Sequence, residues 1–159
     1  MLMKEVLPPA QGGRQSSALH LLHRAGQCAD ELFAIQIGKS DLTPRQYVVM
    51  KAVAATDEPS QTQIVEKTGI DRSTLADIVR RLVAKGLLQR KRTRRDARMY
   101  AVRLTDKGNA ILKSAEPAAK STDERVLSAL SQSQRDGFLE ALKRIIDVLD
   151  VSNADRIGR

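Results

Sequence analysis

The chain holds one cysteine, Cys28, which leaves no partner for an intrachain disulfide and no ligands for a thiolate-rich zinc site. Tryptophan is absent and aromatics make up 3% of the residues, so any core must be aliphatic; at 42% apolar composition there is enough to build one. No apolar run approaches the roughly eighteen residues of a membrane helix. The opening Met1-Leu2-Met3-Lys4 lacks the apolar stretch of a signal peptide. These absences lead to the expectation of a soluble, cytoplasmic protein. No nucleophile–base pair, phosphate-binding glycine loop or metal-hydrolase motif appears, so neither an enzyme nor a cofactor is expected. His20, His23 and Cys28 do not stand at a recognised zinc spacing, and no metal site is expected.

What the chain does have is concentrated between Asp71 and Leu104. Leu75, Ile78, Val79, Leu82 and Val83 recur at the spacing of one helical face, with Ser73, Thr74, Asp77, Arg80 and Arg81 opposite. Asp71 is placed to cap the first turn, and Gly86 to take a positive φ just past the last. Two short strand-like runs follow, with a polar turn at Thr93 to Arg98 and with Tyr100, Val102 and Leu104 alternating with Ala101 and Arg103. Eleven basic residues stand here against three acidic ones, a balance of +8 equal to the +8 of the whole chain. The other residues therefore cancel. Charge gathered on one supersecondary unit points to a polyanion docking there, because phosphate contacts supply most non-specific nucleic-acid affinity.

In chain order, residues 1–16 read as a flexible arm holding Pro8, Pro9, Gly12 and Gly13. A long helix follows from Ser17, with Ala18, Leu21, Ala25, Cys28, Leu32 and Ile35 as its apolar stripe. Thr43-Pro44 with Gln46 opens a second helix in a capping box, with Tyr47, Met50 and Ala54 inward beside Val49 and Val53. Ser60 with Gln63 opens a short third helix carrying Ile64 and Val65. Only Gly69 and Ile70 separate its end from Asp71, which makes the pair a helix-turn-helix. Thr105 caps a further helix with Ala110, Ile111, Leu112, Ala115 and Ala119 inward, and Pro117 is expected to kink or break it. Ser131 with Gln134 opens a last helix striped by Phe138, Leu139, Leu142, Ile145, Ile146 and Leu149. Residues 151–159 read as a flexible tail.

This order of elements resembles the MarR family of winged-helix transcription regulators. The residues that carry the resemblance are Leu42-Thr43-Pro44 with Gln46-Tyr47, Asp71 to Leu75, Leu82 through Lys85-Gly86-Leu87-Leu88 and Arg90, Asp96-Ala97-Arg98, and Leu104-Thr105 with Gly108. The resemblance implies a mainly α fold with a small β-hairpin wing: a domain over 17–150, with a winged helix-turn-helix at 42–104 and dimerisation helices at 17–40 and 105–150. It implies a homodimer on a pseudo-palindromic double-stranded DNA operator, with a recognition helix in the major groove and the wing in the minor groove. Contacts to DNA are then expected from Ser60, Gln61 and Thr62, from Arg72, Ser73, Thr74, Asp77, Arg80 and Arg81, and from Arg90, Arg92, Arg94, Arg95, Asp96 and Arg98. Asp96 would steady the hairpin and Arg98 would enter the minor groove, whose negative potential suits a guanidinium. Many relatives carry a base-reading cation where this chain has Asp77. A carboxylate can accept from cytosine but is repelled by phosphates, and its other role is an ion pair with Arg80 or Arg81.

Regulators of this kind commonly bind small phenolic or aromatic acids between the dimer helices and the winged helix. His20, His23, Arg24, Arg45 and Tyr47 are the candidates for such an effector, as cations and a hydrogen-bonding aromatic. The expected function is a sequence-specific DNA-binding repressor released by that ligand. Two alternatives remain: a redox-sensing repressor acting through Cys28, with Arg24 one turn away to favour thiolate, and a winged-helix adaptor that binds protein. Against the first, Cys28 lies on the apolar stripe, where cysteine behaves as a small hydrophobe.

Overall fold

A computed structural model describes residues 17–157, with side chains through 150, so the expected arm at 1–16 lies outside the described residues. The order is α1 (Ala18–Ile37), α2 (Pro44–Ala54), α3 (Gln61–Thr68), α4 (Arg72–Ala84), β1 (Leu88–Arg92), β2 (Tyr100–Leu104), α5 (Asp106–Ser128) and α6 (Gln132–Ile157). The helix starts are where the side chains put them. Thr43 and Ser60 each accept from the amide three residues on, while Gln46 and Gln63 return the bond to the capping residue's own amide. Gly69 ends α3 in the left-handed region, at φ 67° and ψ 6°.

The core lies in the middle of the chain. Val49 and Met50 of α2, Ile64 of α3, Leu75 and Val79 of α4 and Val102 of β2 are all essentially inaccessible, and Leu112 of α5 closes the cluster. Strands β1 and β2 pair antiparallel, from Leu88 opposite Leu104 to Arg92 opposite Tyr100. The Val102 amide donates to the Pro59 carbonyl at 2.9 Å, so the loop before α3 acts as a third edge to the hairpin.

Several expectations need correction. In α1 the anchor is Phe33, not on the expected stripe, tilted against Tyr47 at 5.6 Å between ring centroids; on that stripe Leu21, Ala25, Cys28 and Ile35 are exposed in the single chain, as a face meant to pack outside it would be. Ala54 and Ala110 face solvent, and Ala118 is buried in α5 instead. Helix α5 runs unbroken through Pro117, whose ring sits on an exposed face. Ser131 receives only half of its box: its amide donates to Gln134, but the Gln134 amide goes to the Ser131 carbonyl. Tyr100 is exposed while Ala101 and Val102 are both buried, so burial on β2 follows α2 and the Pro59 loop packed beside it and not the strand period. Helix α6 extends to Ile157, beyond the expected end at Asp150.

Besides the packing of Leu112 and the Lys51–Glu116 ion pair, helix α5 is joined to the winged helix at its first turn. The Thr105 hydroxyl donates to the Gly86 carbonyl at 2.6 Å and accepts from the Gly108 amide at 2.9 Å, while the Thr105 amide donates to the Leu87 carbonyl at 3.1 Å. A Cβ at Gly108 would lie 2.0 Å from the Leu87 carbonyl oxygen, which is backbone and has nowhere to go. Gly108→Ala should therefore destabilise the chain by about 1–3 kcal/mol, the range for overpacking. Chemical denaturation of the variant beside the parent protein reads this directly, and an unchanged midpoint would contradict the close approach.

Candidate nucleic-acid interface

The helix-turn-helix is formed by α3, the Gly69-Ile70 turn and α4. Leu75, Ile78, Val79 and Leu82 bury one face of α4, which obliges the other face to look outward. On that face Arg72, Ser73, Arg80 and Arg81 are exposed and Thr74 is half-buried. Ser60, Gln61 and Thr62 surround the start of α3, where Gln61 accepts from the Arg90 guanidinium of β1 at 3.2 Å and so ties the first helix of the motif to the wing.

Asp71 does more than cap. Its carboxylate accepts from the Thr74 amide at 2.9 Å and the Ser73 hydroxyl at 2.7 Å, and these bonds, Thr74 first, lower its pKa from 3.8 to about 2. Asp77 bonds the Arg80 guanidinium and, through its other oxygen, Arg81 Nε at 2.7 Å, and its carboxyl is held below its ordinary value by Arg80 first and then Arg81. The alternative role considered for Asp77 is the one the geometry gives. Two of the helix's cations share one internal counterion.

The wing is ordered by its own turn. The Asp96 carboxylate accepts from the Arg98 amide at 2.9 Å, the Asp96 amide donates to the Thr93 hydroxyl at 3.1 Å, and that hydroxyl donates to the Asp96 carbonyl at 2.8 Å. Arg92 lies over the Tyr100 ring, 5.9 Å from its centroid. Among the described residues no ion pair engages Arg72, Arg95 or Arg98, whereas Arg94 and Arg103 both reach Glu58 in the loop before α3. Glu58 was not singled out in the sequence. Its partners lie 36 and 45 positions away, and no local pattern announces them.

The effector candidates do not assemble. His20, His23 and Arg24 are exposed on α1 and Arg45 on α2, and none lines the open cleft of about 640 Å³ onto which Tyr47 faces. That cleft brings Tyr47 together with Lys51, Lys113, Glu116, Lys120 and Asp123. Lys51 Nζ pairs with Glu116 at 3.0 Å, and burial pushes the Tyr47 phenol above its ordinary pKa. A second, mostly apolar groove of about 640 Å³ separates α6 from α1 and α5 near Leu22, Ala25, Val126, Phe138 and Leu142. No group of three or more His, Cys, Asp or Glu side chains among the described residues is placed to hold a metal ion, and no described helix is long and apolar enough to cross a membrane.

A sequence profile of the MarR family matches residues 40–99, which span α2 through β1 and the turn of the wing, ending just before β2. The transcriptional repressor NicR of Pseudomonas putida is 32% identical over 128 residues, covering 80% of this chain and 81% of its own. Among solved structures, Bordetella bronchiseptica BpsR, described as regulated in its DNA binding by 6-hydroxynicotinic acid, superposes with a TM-score of 0.78 at 28% identity over 87% of this chain and 99% of that one. The repressor CouR, solved on a 23-mer DNA duplex, gives a TM-score of 0.73 at 30% identity over 82% and 92% of the two chains.

The Asp71 cap has a pH signature. A carboxyl whose pKa is lowered by folding adds stability above its unfolded value of 3.8, and that contribution is lost as pH falls toward about 2. Thermal unfolding followed from neutral pH down through this window should fall less steeply for Asp71→Asn, which keeps an acceptor at the cap but cannot titrate. Parallel profiles for the two proteins would show that the cap is not formed in solution.

Proposed function

The chain belongs to the MarR family of transcription regulators, and from that premise we propose that it is a homodimeric, sequence-specific repressor of a pseudo-palindromic operator, released by a small aromatic acid. The carrying observation is the charge: the net +8 of the chain falls on α4 and the wing, the two elements that the buried face of α4 and the Asp96 turn hold outward. Arg80 is the candidate for direct readout in the major groove, Arg98 for the minor groove, and Arg72 and Arg95 for phosphate. Self-association is supported by the apolar surface that α1 and α6 leave open, with Leu19 and Ile35 about three-quarters exposed and Ile146 and Leu149 more than half. Two recognition helices would then lie about one helical turn, ~34 Å, apart. Such a protein works where the DNA is, in the cytoplasm, and catalyses nothing.

The effector reading rests on the Tyr47 cleft. A carboxylate entering it meets Lys113 and Lys120, and the Tyr47 hydroxyl offers a hydrogen bond to a ring substituent, which suits a hydroxylated aromatic acid of the kind named for BpsR. His20, His23, Arg24 and Arg45 take no part in this version of the site. Cys28 likewise has no role in it, and no observation favours the adaptor reading over DNA.

Arg98→Ala should weaken binding to every duplex, most where the flanks are A·T-rich, and lower the salt slope by about one phosphate equivalent. Arg80→Ala should cost about 1–3 kcal/mol on the operator and relax specificity at one base pair. Fluorescence anisotropy on an operator, a scrambled duplex and single-base-pair variants at several salt concentrations separates the two. Equal losses on operator and scrambled DNA for Arg80→Ala would leave Arg80 a phosphate contact only.

For the cleft, Lys113→Ala combined with Lys120→Ala should keep operator affinity and lose release by hydroxylated aromatic carboxylates such as 6-hydroxynicotinate. Retained release would place the effector elsewhere.

A further inference from the structure

We propose that Glu58 is the positioning residue of the wing, setting the angle at which Arg98 is offered to the minor groove while holding the Arg103 guanidinium away from phosphate. The proposal rests on the DNA-binding reading given above. Glu58 takes φ 46°, the one non-glycine residue with positive φ among the described residues, and it does so immediately before Pro59, where the chain is already sterically restricted. Its side chain is 11% exposed and is fully used: one oxygen accepts from the Arg94 amide at 3.1 Å, and the other bonds the Arg103 guanidinium and lies 3.6 Å from Arg94 Nε. The next residue accepts from the Val102 amide through the Pro59 carbonyl at 2.9 Å. One dipeptide therefore grips β2 and the turn that follows β1.

The grip continues to the tip through an unbroken series of bonds. Arg94 follows Thr93, whose hydroxyl bonds the Asp96 amide and carbonyl, and the Asp96 carboxylate holds the Arg98 amide. Displacing the Arg94 amide at one end moves the Arg98 backbone at the other. The same carboxylate withdraws charge from DNA, because Arg103 is 30% exposed and pinned to Glu58, although it counts among the eleven cations of the basic unit. Its carboxyl stays below its ordinary pKa, through the Arg94 amide first and Arg103 next, and so remains charged at neutral pH.

Two variants test this. Glu58→Gly relieves the positive φ and removes the grip, and Glu58→Gln keeps an acceptor for the Arg94 amide but no charge for the guanidiniums. In the free protein, hydrogen exchange at the amides of residues 94–103 should become about tenfold faster in Glu58→Gly, with the exchange of α2 and α4 unchanged. On duplexes sharing one selected operator core, the preference for A·T-rich over G·C-rich flanks should disappear in Glu58→Gly. Binding to scrambled duplex should tighten in both variants, with a salt slope steeper by about one phosphate equivalent as Arg103 is released. Wing exchange and flank preference that match the parent would overturn the proposal. So would equal weakening on operator and scrambled duplex with a lowered unfolding midpoint, which is what a merely structural residue would give. Should Glu58→Gly not fold, the steeper slope of Glu58→Gln on scrambled duplex decides. If the parent protein binds no duplex at all, the DNA reading fails with it, while altered wing exchange would still show the mechanical grip.

Discussion

At Gly108 the first turn of α5 lies against the Leu87 carbonyl with no room for a side chain, and the geometry of the whole molecule hangs from that approach. It lets the Thr105 hydroxyl reach the Gly86 and Leu87 carbonyls just past the end of α4, whose own Arg81, Leu82 and Val83 carbonyls already accept from the Lys85, Leu87 and Gly86 amides. Lys107 adds a bond to the Lys85 carbonyl at 3.0 Å, and Lys85 itself pairs with Asp41 at 2.8 Å in the loop between α1 and α2. The C-terminal end of α4 is thus tied to the start of α5 and to the loop after α1 within a few residues. A rotation at the start of α5 bears directly on where α4 ends.

The electrostatics have the same economy. Counting charges in the sequence finds the correct unit but overstates what it presents, because Asp77 and Glu58 each engage two guanidiniums. Among the described residues, the cations left without an ion pair include Arg72 on the helix and Arg95 and Arg98 on the wing. Where a basic face is patterned this way, geometry and not total charge decides which phosphate or base edge is met.

Much of the fold was legible because its signals are local. The capping boxes at Thr43 and Ser60, the Asp71 cap and the Gly69 and Gly86 turns each lie within four residues of what they control, and each formed as read. The buried face of α4 followed from its period for the same reason. The failures share the opposite property. Phe33 against Tyr47, Ala101 beside the Pro59 loop and Glu58 under the wing depend on partners far along the chain, and periodicity carries no information about them. Cys28 and its neighbours on the α1 stripe are not among those failures: an apolar pattern reports that a surface is to be covered, not that this chain covers it. The effector candidates His20, His23 and Arg24 were chosen for chemistry alone and stand apart from the cleft at Tyr47, whose cations are Lys51 of α2 and Lys113 and Lys120 of α5.

Asp77 also bears on time as well as on strength. A protein that finds one site among a genome of others spends most of its search on the wrong sequence, held there by counterion release alone. A recognition helix that carries its own counterion for Arg80 and Arg81 sheds part of that hold until a base edge competes for the guanidinium. On that arithmetic residence on arbitrary DNA would be shortened and the scan would move on sooner, the carboxylate standing as a clutch between sliding and stopping.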